Sequence, residues 1–218
     1  MNEKIARQIE EMKKQTIGVE VEMNNITREK AAKIAARFFG TGRYENTARR
    51  NGYCTWSAWD AQNREWKFQK DVSIAGPESE ECELVTPILT YADMATLQEL
   101  IRQLRHAGAK SDASRGCGVH IHIGAKGHTP QTLRNLANIM ASHESLIADA
   151  LNLDRGRMRR YCRTVDPRFL ETLNRKKPKT MSALADIWYT SHGEDYGRNH
   201  HYNGSRYHML NYHATFTK

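Results

Sequence analysis

Residues Gly116-Cys-Gly-Val-His-Ile-His-Ile-Gly124 set two histidines two positions apart in a β-branched run. Side chains at i and i+2 of a strand share a face. His120 and His122 can therefore converge on one ligand, with Val119, Ile121 and Ile123 expected to pack behind them. The plain alternative is a half-buried strand that carries two imidazoles and no ligand. A second strand, Gly18-Val-Glu-Val-Glu22, repeats the arrangement with carboxylates. Glu20 and Glu22 fall on one face, and Ile17, Val19 and Val21 on the other. Two like charges one pleat repeat apart are costly against a sheet interior unless a cation neutralises them. On a wet face they need no ligand. Glu83 adds a third carboxylate in strand context, and Asp71 a fourth at the end of a hairpin. Carboxylates with one imidazole make a hard, oxygen-rich set suited to Mg²⁺ or Mn²⁺ rather than to structural Zn²⁺.

The elements that must hold these residues are legible by pattern. Residues 2–14 place Ile5, Ile9 and Met12 on one face of a charged helix. Thr16 to Met23 reads as the first strand. Thr27 caps a helix to Phe39, with Ala31, Ile34, Ala35 and Phe38 at helical spacing and Gly40 and Gly42 ending it. A hairpin is expected over 53–59 and 65–70, turning at Ala61-Gln62-Asn63. A strand from Glu81 to Leu89 is stopped or bulged at Pro87. A helix introduced by Asp93 runs to about Ala107, and the His-x-His strand follows. Pro130 opens another helix whose buried stripe is Leu133, Leu136, Ile139, Met140, Leu146 and Ile147. Residues 153–192 alternate helical pieces with basic turns, and Tyr207 to Phe216 has strand character. Strands with polar faces and hairpin signals predict an α+β fold, a largely antiparallel sheet covered by helices on one side.

The chain has 218 residues, a size at which one domain is the default, and a formal net charge of +8. That balance is compatible with nucleic acid, with phosphate-bearing small molecules, or with a solvated basic surface. The four cysteines contain no Cys-x-x-Cys pair, which leaves zinc-ribbon and thioredoxin readings unsupported. The N-terminus lacks the apolar core of a signal peptide, and no apolar run approaches the length of a membrane span. No membrane partner and a cytoplasmic, reducing setting with free thiols are expected.

Taken in order, Gly-Val-Glu-Val-Glu22, Trp66…Asp71-x-Ser73, Glu83-Leu-Val-Thr-Pro-Ile-Leu, Gly116-Cys-Gly-Val-His-Ile-His and Arg206-Tyr-His-Met-Leu-Asn211 resemble the motifs of the amidoligases, relatives of glutamine synthetase and glutamate–cysteine ligase. The resemblance covers residues 16–218 and implies a glutamine synthetase-like catalytic sheet, with residues 1–15 as a helical extension. It implies an ATP-dependent carboxylate–amine ligase. ATP phosphorylates a carboxylate, and an amine displaces phosphate from the acyl phosphate to leave an amide. The implied substrates are a small-molecule or peptide acid and an amine, and the implied cofactors are ATP and Mg²⁺ or Mn²⁺. By similarity Glu20 and Glu22 ligate the two metals, Glu83 joins them, and His120 matches the metal-binding histidine. His122 falls nearer the nucleotide phosphates. Asp71 and Asn211 match groups that act on or near the substrate, and Arg206 begins the family's late Arg-Tyr segment.

Two departures accompany the match. Val72 follows Asp71 where the family usually shows glycine. The family's strand carrying Glu-Phe-Arg is expected after Asn211, but the sequence ends at Thr215-Phe-Thr-Lys218, so the expectation is a domain without that final strand. An arginine clamp of this kind is worth orders of magnitude in rate. Arg155, Arg157, Arg159, Arg160 and Arg163 surround Tyr161 in a basic segment. The family shows a comparable Arg-Tyr stretch, so the resemblance implies that Arg159 and Arg160 bind phosphate or carboxylate, with a solvated helix face as the equal alternative. The competing function is a non-catalytic protein that reuses the scaffold to bind nucleic acid or a nucleoprotein through these Arg/Tyr segments. The late histidines, His192, His200, His201, His208 and His213, match no ligand spacing and are expected at the surface or in hydrogen bonds.

Overall fold

Strands whose polar residues share one face alternate with helices whose apolar residues form a stripe, and in the computed structural model these sort into an α+β architecture. Residues 2–217 are described. The chain divides after Gly124 into two compact units.

The first unit comprises α1 (Glu3–Lys13), β1 (Ile17–Met23), α2 (Arg28–Phe38), β2 (Tyr44–Asn46), α3 (Ala48–Asn51), β3 (Trp56–Trp59), β4 (Glu65–Gln69), β5 (Cys82–Val85), α4 (Met94–His106) and β6 (Val119–Ile123). The strands form one six-stranded sheet in the order β2-β3-β4-β5-β1-β6, with every neighbouring pair antiparallel. β1 is thus flanked by β5 and β6. Its Val19, Val21 and Met23 are buried with Trp66 and Phe68 of β4, Leu84 of β5, four alanines of α2 and Leu97, Leu100 and Leu104 of α4. Ala31, Ala32, Ala35 and Ala36 give α2 a narrow face that lets it lie close to β3 and β4. Thr27 Oγ1 accepts from Lys30 N at 3.2 Å and starts that helix, and Gly40 and Gly42, both at positive φ, end it.

Two expectations need correction here, the reach of the strand towards Leu89 and the packing of Val119, Ile121 and Ile123, and two details are added. Residues 44–51 form a short edge strand and a helical turn that the pattern did not mark. β5 ends at Val85, before Pro87, although Leu89 still bridges Ile17. Asp93 caps through a preceding 3-10 turn: its carboxylate accepts from Thr90 N at 2.8 Å and from Arg64 Nη2 at 2.9 Å, not from the first turn of α4. Val119, Ile121 and Ile123 do not pack behind the histidines; each is more than half exposed, because β6 is an edge strand and they lie outside the buried core.

The second unit is helical: α5 (Pro130–Ala150), α6 (Arg155–Arg160), α7 (Pro167–Lys176), α8 (Met181–His192) and α9 (His213–Phe216). Its core joins Leu133 and Ala137 of α5 to Phe169, Leu173, Leu184, Ile187, Trp188, Tyr189 and Tyr212. Ile139 and Leu146, expected in the buried stripe of α5, are exposed. Glu144 is buried in that helix instead, its carboxylate accepting from Val165 N at 2.9 and 3.1 Å. The strand expected over 207–216 is also absent. Only Arg163 and His208 form an isolated bridge, and Asn211 Oδ1 accepts from His213 N at 2.8 Å to start α9, while Tyr212 is buried against the helices. Among the described residues no helix is long and apolar enough to cross a membrane.

Candidate metal centre

The register of three adjacent strands gathers the carboxylates and imidazoles. Glu20 pairs with His120 and Gly18 with His122 across β1 and β6, while Glu22 pairs with Glu83 across β1 and β5. Directly paired residues project to the same face. Burial of Val19, Val21 and Met23 on the helix side therefore sends Glu20, Glu22, Glu83, His120 and His122 to the other. His122 Nε2 lies 3.2 Å from Glu20 Oε1. His120 stands between the two glutamates, with Nδ1 3.8 Å from Glu20 Oε2 and Nε2 3.6 Å from Glu22 Oε1, electrostatic separations longer than a hydrogen bond.

Asp71 joins this group. One carboxylate oxygen from each of Glu22, Asp71 and Glu83 lies within 4.8 Å of the other two. Asp71 is held by its own turn, in which Ser73 N donates to Asp71 Oδ1 at 2.7 Å. That turn leans on the segment leading into β6: Ala75 N donates to Arg115 O at 2.8 Å, and a Cβ on Gly116 would stand 2.4 Å from Ser73 O. Gly116 also takes φ +85°, a left-handed conformation that disfavours other residues. The Asp71-x-Ser73 and Gly116-Cys-Gly motifs are thus one packed feature.

Two further groups orient the carboxylates. Gly118 N donates to Glu22 Oε2 at 2.6 Å, and Gln69 Nε2 donates to Glu83 Oε2 at 2.8 Å. Gln69 escaped the sequence reading. Its signal was the pairing of β4 with β5, which sets Gln69 opposite Glu83 and becomes visible only once the register is known. Glu22 and Glu83 are both buried. Burial pushes the Glu83 carboxyl up to about 7; the Gln69 hydrogen bond opposes this, and the charges of Glu20, Asp71 and Glu22 add to it. Three carboxylates this close, two of them buried, make a concentrated negative site and a hard oxygen donor set of the kind that Mg²⁺ or Mn²⁺ takes. The donor chemistry fits such an ion.

The other four predicted residues lie in the second unit. Arg159 and Arg160 are exposed on α6. Arg160 stacks on the Tyr161 ring with its guanidinium carbon 5.0 Å from the centroid, and Arg159 lines an open cavity with Arg163, Asp166 and His208. Arg206 donates to His201 O at 3.0 Å and lies against the rings of Tyr202 and Tyr207. Asn211 spends its side-chain oxygen on the cap of α9. Among the late histidines, His200 and His201 are exposed. His192, His208 and His213 are hydrogen-bonded to the carbonyls of Trp188, Ser205 and His200.

A family model described as "Putative amidoligase enzyme" matches residues 13–218. No curated protein and no solved structure matches the chain.

Proposed function

The chain belongs to the amidoligase family, and we propose that it joins a carboxylic acid to an amine at the expense of ATP, through an acyl phosphate. The observation that carries this reading is the convergence of Glu22, Asp71 and Glu83 on one face of an antiparallel sheet, beside Glu20 and His120. In the proposal the three clustered carboxylates hold one Mg²⁺ or Mn²⁺, and Glu20 with His120 a neighbouring one. Bound divalent ions neutralise and orient the phosphate oxygens in phosphoryl transfer.

The chain's own groups do the rest by position. Gly118 N and Gln69 Nε2 each hold one carboxylate oxygen, of Glu22 and of Glu83, and so restrict the rotamers of these two acids. His122, held beside Glu20, is assigned to the nucleotide phosphates. Arg159 and Arg160 are assigned to an anionic group, and Arg206 and Asn211 to the reacting substrates, on the strength of the family motif. The glutamine synthetase-like architecture, the treatment of 16–218 as one catalytic domain and a cytoplasmic setting belong to the same proposal. That none of the four cysteines forms a disulfide is compatible with that setting.

Thermal unfolding with ATP, with and without magnesium, tests the reading on wild type and Glu22→Ala. Wild type is expected to gain more stability with ATP and magnesium together than with either alone, and Glu22→Ala to gain none. ADP release across a panel of acids and amines then identifies the substrates. A wild type indifferent to ATP and metal sinks the proposal. DNA or RNA binding that survives Glu22→Ala and is lost in Arg159→Ala with Arg160→Ala replaces it with the nucleic-acid reading.

A further inference from the structure

Lys67 stands in the same cross-strand row as the acidic site. It pairs with Val85 on β5, Val85 pairs with Glu20 on β1, and Glu20 pairs with His120 on β6. Its neighbours Trp66 and Phe68 are fully buried on the helix side, so the Lys67 side chain leaves the sheet on the carboxylate face. Glu83 is its diagonal neighbour, on the order of 7–8 Å away between backbones and within reach of a long side chain.

Attraction alone would lay the ammonium on Glu83. It does not lie there: Gln69 occupies Glu83 Oε2, and the Lys67 ammonium makes no ion pair or side-chain hydrogen bond among the described residues. Three cations of the sheet and its turns are committed elsewhere. Lys70 pairs with Glu78 at 3.0 Å, Arg50 with Glu45 at 3.7 Å, and Arg43 stacks on Trp59 with its guanidinium carbon 4.1 Å from the ring centroid while donating to Asn63. Lys67, a half-buried residue, thus sends its ammonium to the face of a carboxylate cluster that it does not neutralise.

We infer that Lys67 is the cation that receives the oxygens of a phosphate-bearing ligand held over the Glu22–Asp71–Glu83 cluster. The inference rests on the ligase reading and adds to it a residue that no motif supplies. Metal ions balance the carboxylates, but the phosphates that come with them carry further negative charge. A lysine with three rotatable donors and no competing partner is suited to that charge.

Calorimetric titration with Mn²⁺ alone, and with a non-hydrolysable ATP analogue in excess magnesium, tests this on wild type, Lys67→Met, Lys67→Arg and Glu22→Ala. Lys67→Met is expected to keep its melting temperature and to bind Mn²⁺ within about twofold of wild type, while the analogue weakens on the order of tenfold. Lys67→Arg restores most of that loss, and Glu22→Ala loses Mn²⁺. Unchanged analogue binding in Lys67→Met overturns the role of Lys67 and leaves the ligase reading standing. Loss of fold or of Mn²⁺ binding in both Lys67 variants gives the residue a structural role and also overturns the inference. A wild type that binds Mn²⁺ but no analogue overturns both.

Discussion

Glu22 and Glu83 face each other across β1 and β5, both buried, each with one carboxylate oxygen already engaged by a donor from a different strand or loop. Two acids placed this way make the fold carry an electrostatic cost that a ligand can remove.

Glu83→Gln removes part of that cost. The Glu83 carboxyl titrates near 7 in the folded chain, above its ordinary value of 4.5. Its contribution is therefore fully present below the ordinary value and is lost as pH rises towards 7. At pH 7.5 and without metal, Glu83→Gln is expected to be more stable than wild type by about 1–3 kcal/mol. At pH 4.5 the difference should vanish. Urea unfolding at the two pH values measures it; equal stabilities at pH 7.5 would contradict the assignment.

Gln69→Leu acts in the opposite sense. Its amide both orients Glu83 and favours the ionised form. Loss of such an outer hydrogen bond typically costs about 10–100-fold in metal affinity. Mn²⁺ titration should show a fall of that size in a variant that still folds but melts lower, because a buried acceptor loses its donor, whereas wild-type affinity would remove Gln69 from the site.

Gly116→Ala tests the seam between the Asp71 turn and the lead-in to β6. The left-handed backbone alone costs about 1–2 kcal/mol for a residue with a Cβ, and the new methyl would meet the Ser73 carbonyl at 2.4 Å. Thermal unfolding should register at least the backbone cost. Because the Ser73 turn carries Asp71, Mn²⁺ affinity should fall with it, and a stable variant with intact affinity would separate the two motifs.

His208 predicts an acid limb in the second unit. Burial lowers it to about 4 from an ordinary 6.5, so the folded chain holds the neutral ring. That stability is present above pH 6.5 and is lost as pH falls towards 4, by at most about 3 kcal/mol. Urea unfolding followed by the fluorescence of Trp188, which packs against His208 with ring centroids 5.9 Å apart, should show the slope. His208→Gln should flatten it; an unchanged slope would place the titration elsewhere.

What the sequence made legible follows from how local each rule is. The alternation in 17–23 and 119–123 placed Glu20, Glu22, His120 and His122 on their faces, and Thr27 marked its helix, because pleat and cap need only neighbouring residues. The meeting of Asp71 with Glu22 and Glu83 depends on a turn packed against Gly116, more than forty positions away, which no local period encodes. The late segment misled for a related reason. Tyr207, Leu210, Tyr212 and Phe216 have strand character by composition, but Tyr212 is spent on the helical core and Asn211 on a cap. In α5, Ile139 and Leu146 matched the helical period, yet the interior there is filled by Ala137, Ala148 and the hydrogen-bonded Glu144.

The raised affinity of Glu83 for hydrogen ions has a thermodynamic corollary. Near neutrality this carboxyl is partly protonated, and an incoming cation must displace that proton. In the ligase reading, magnesium and acidity are therefore competitors for one oxygen pair. Each ion taken up releases a fraction of a proton, so the observed heat of binding will shift with the ionisation enthalpy of whatever buffer surrounds the protein.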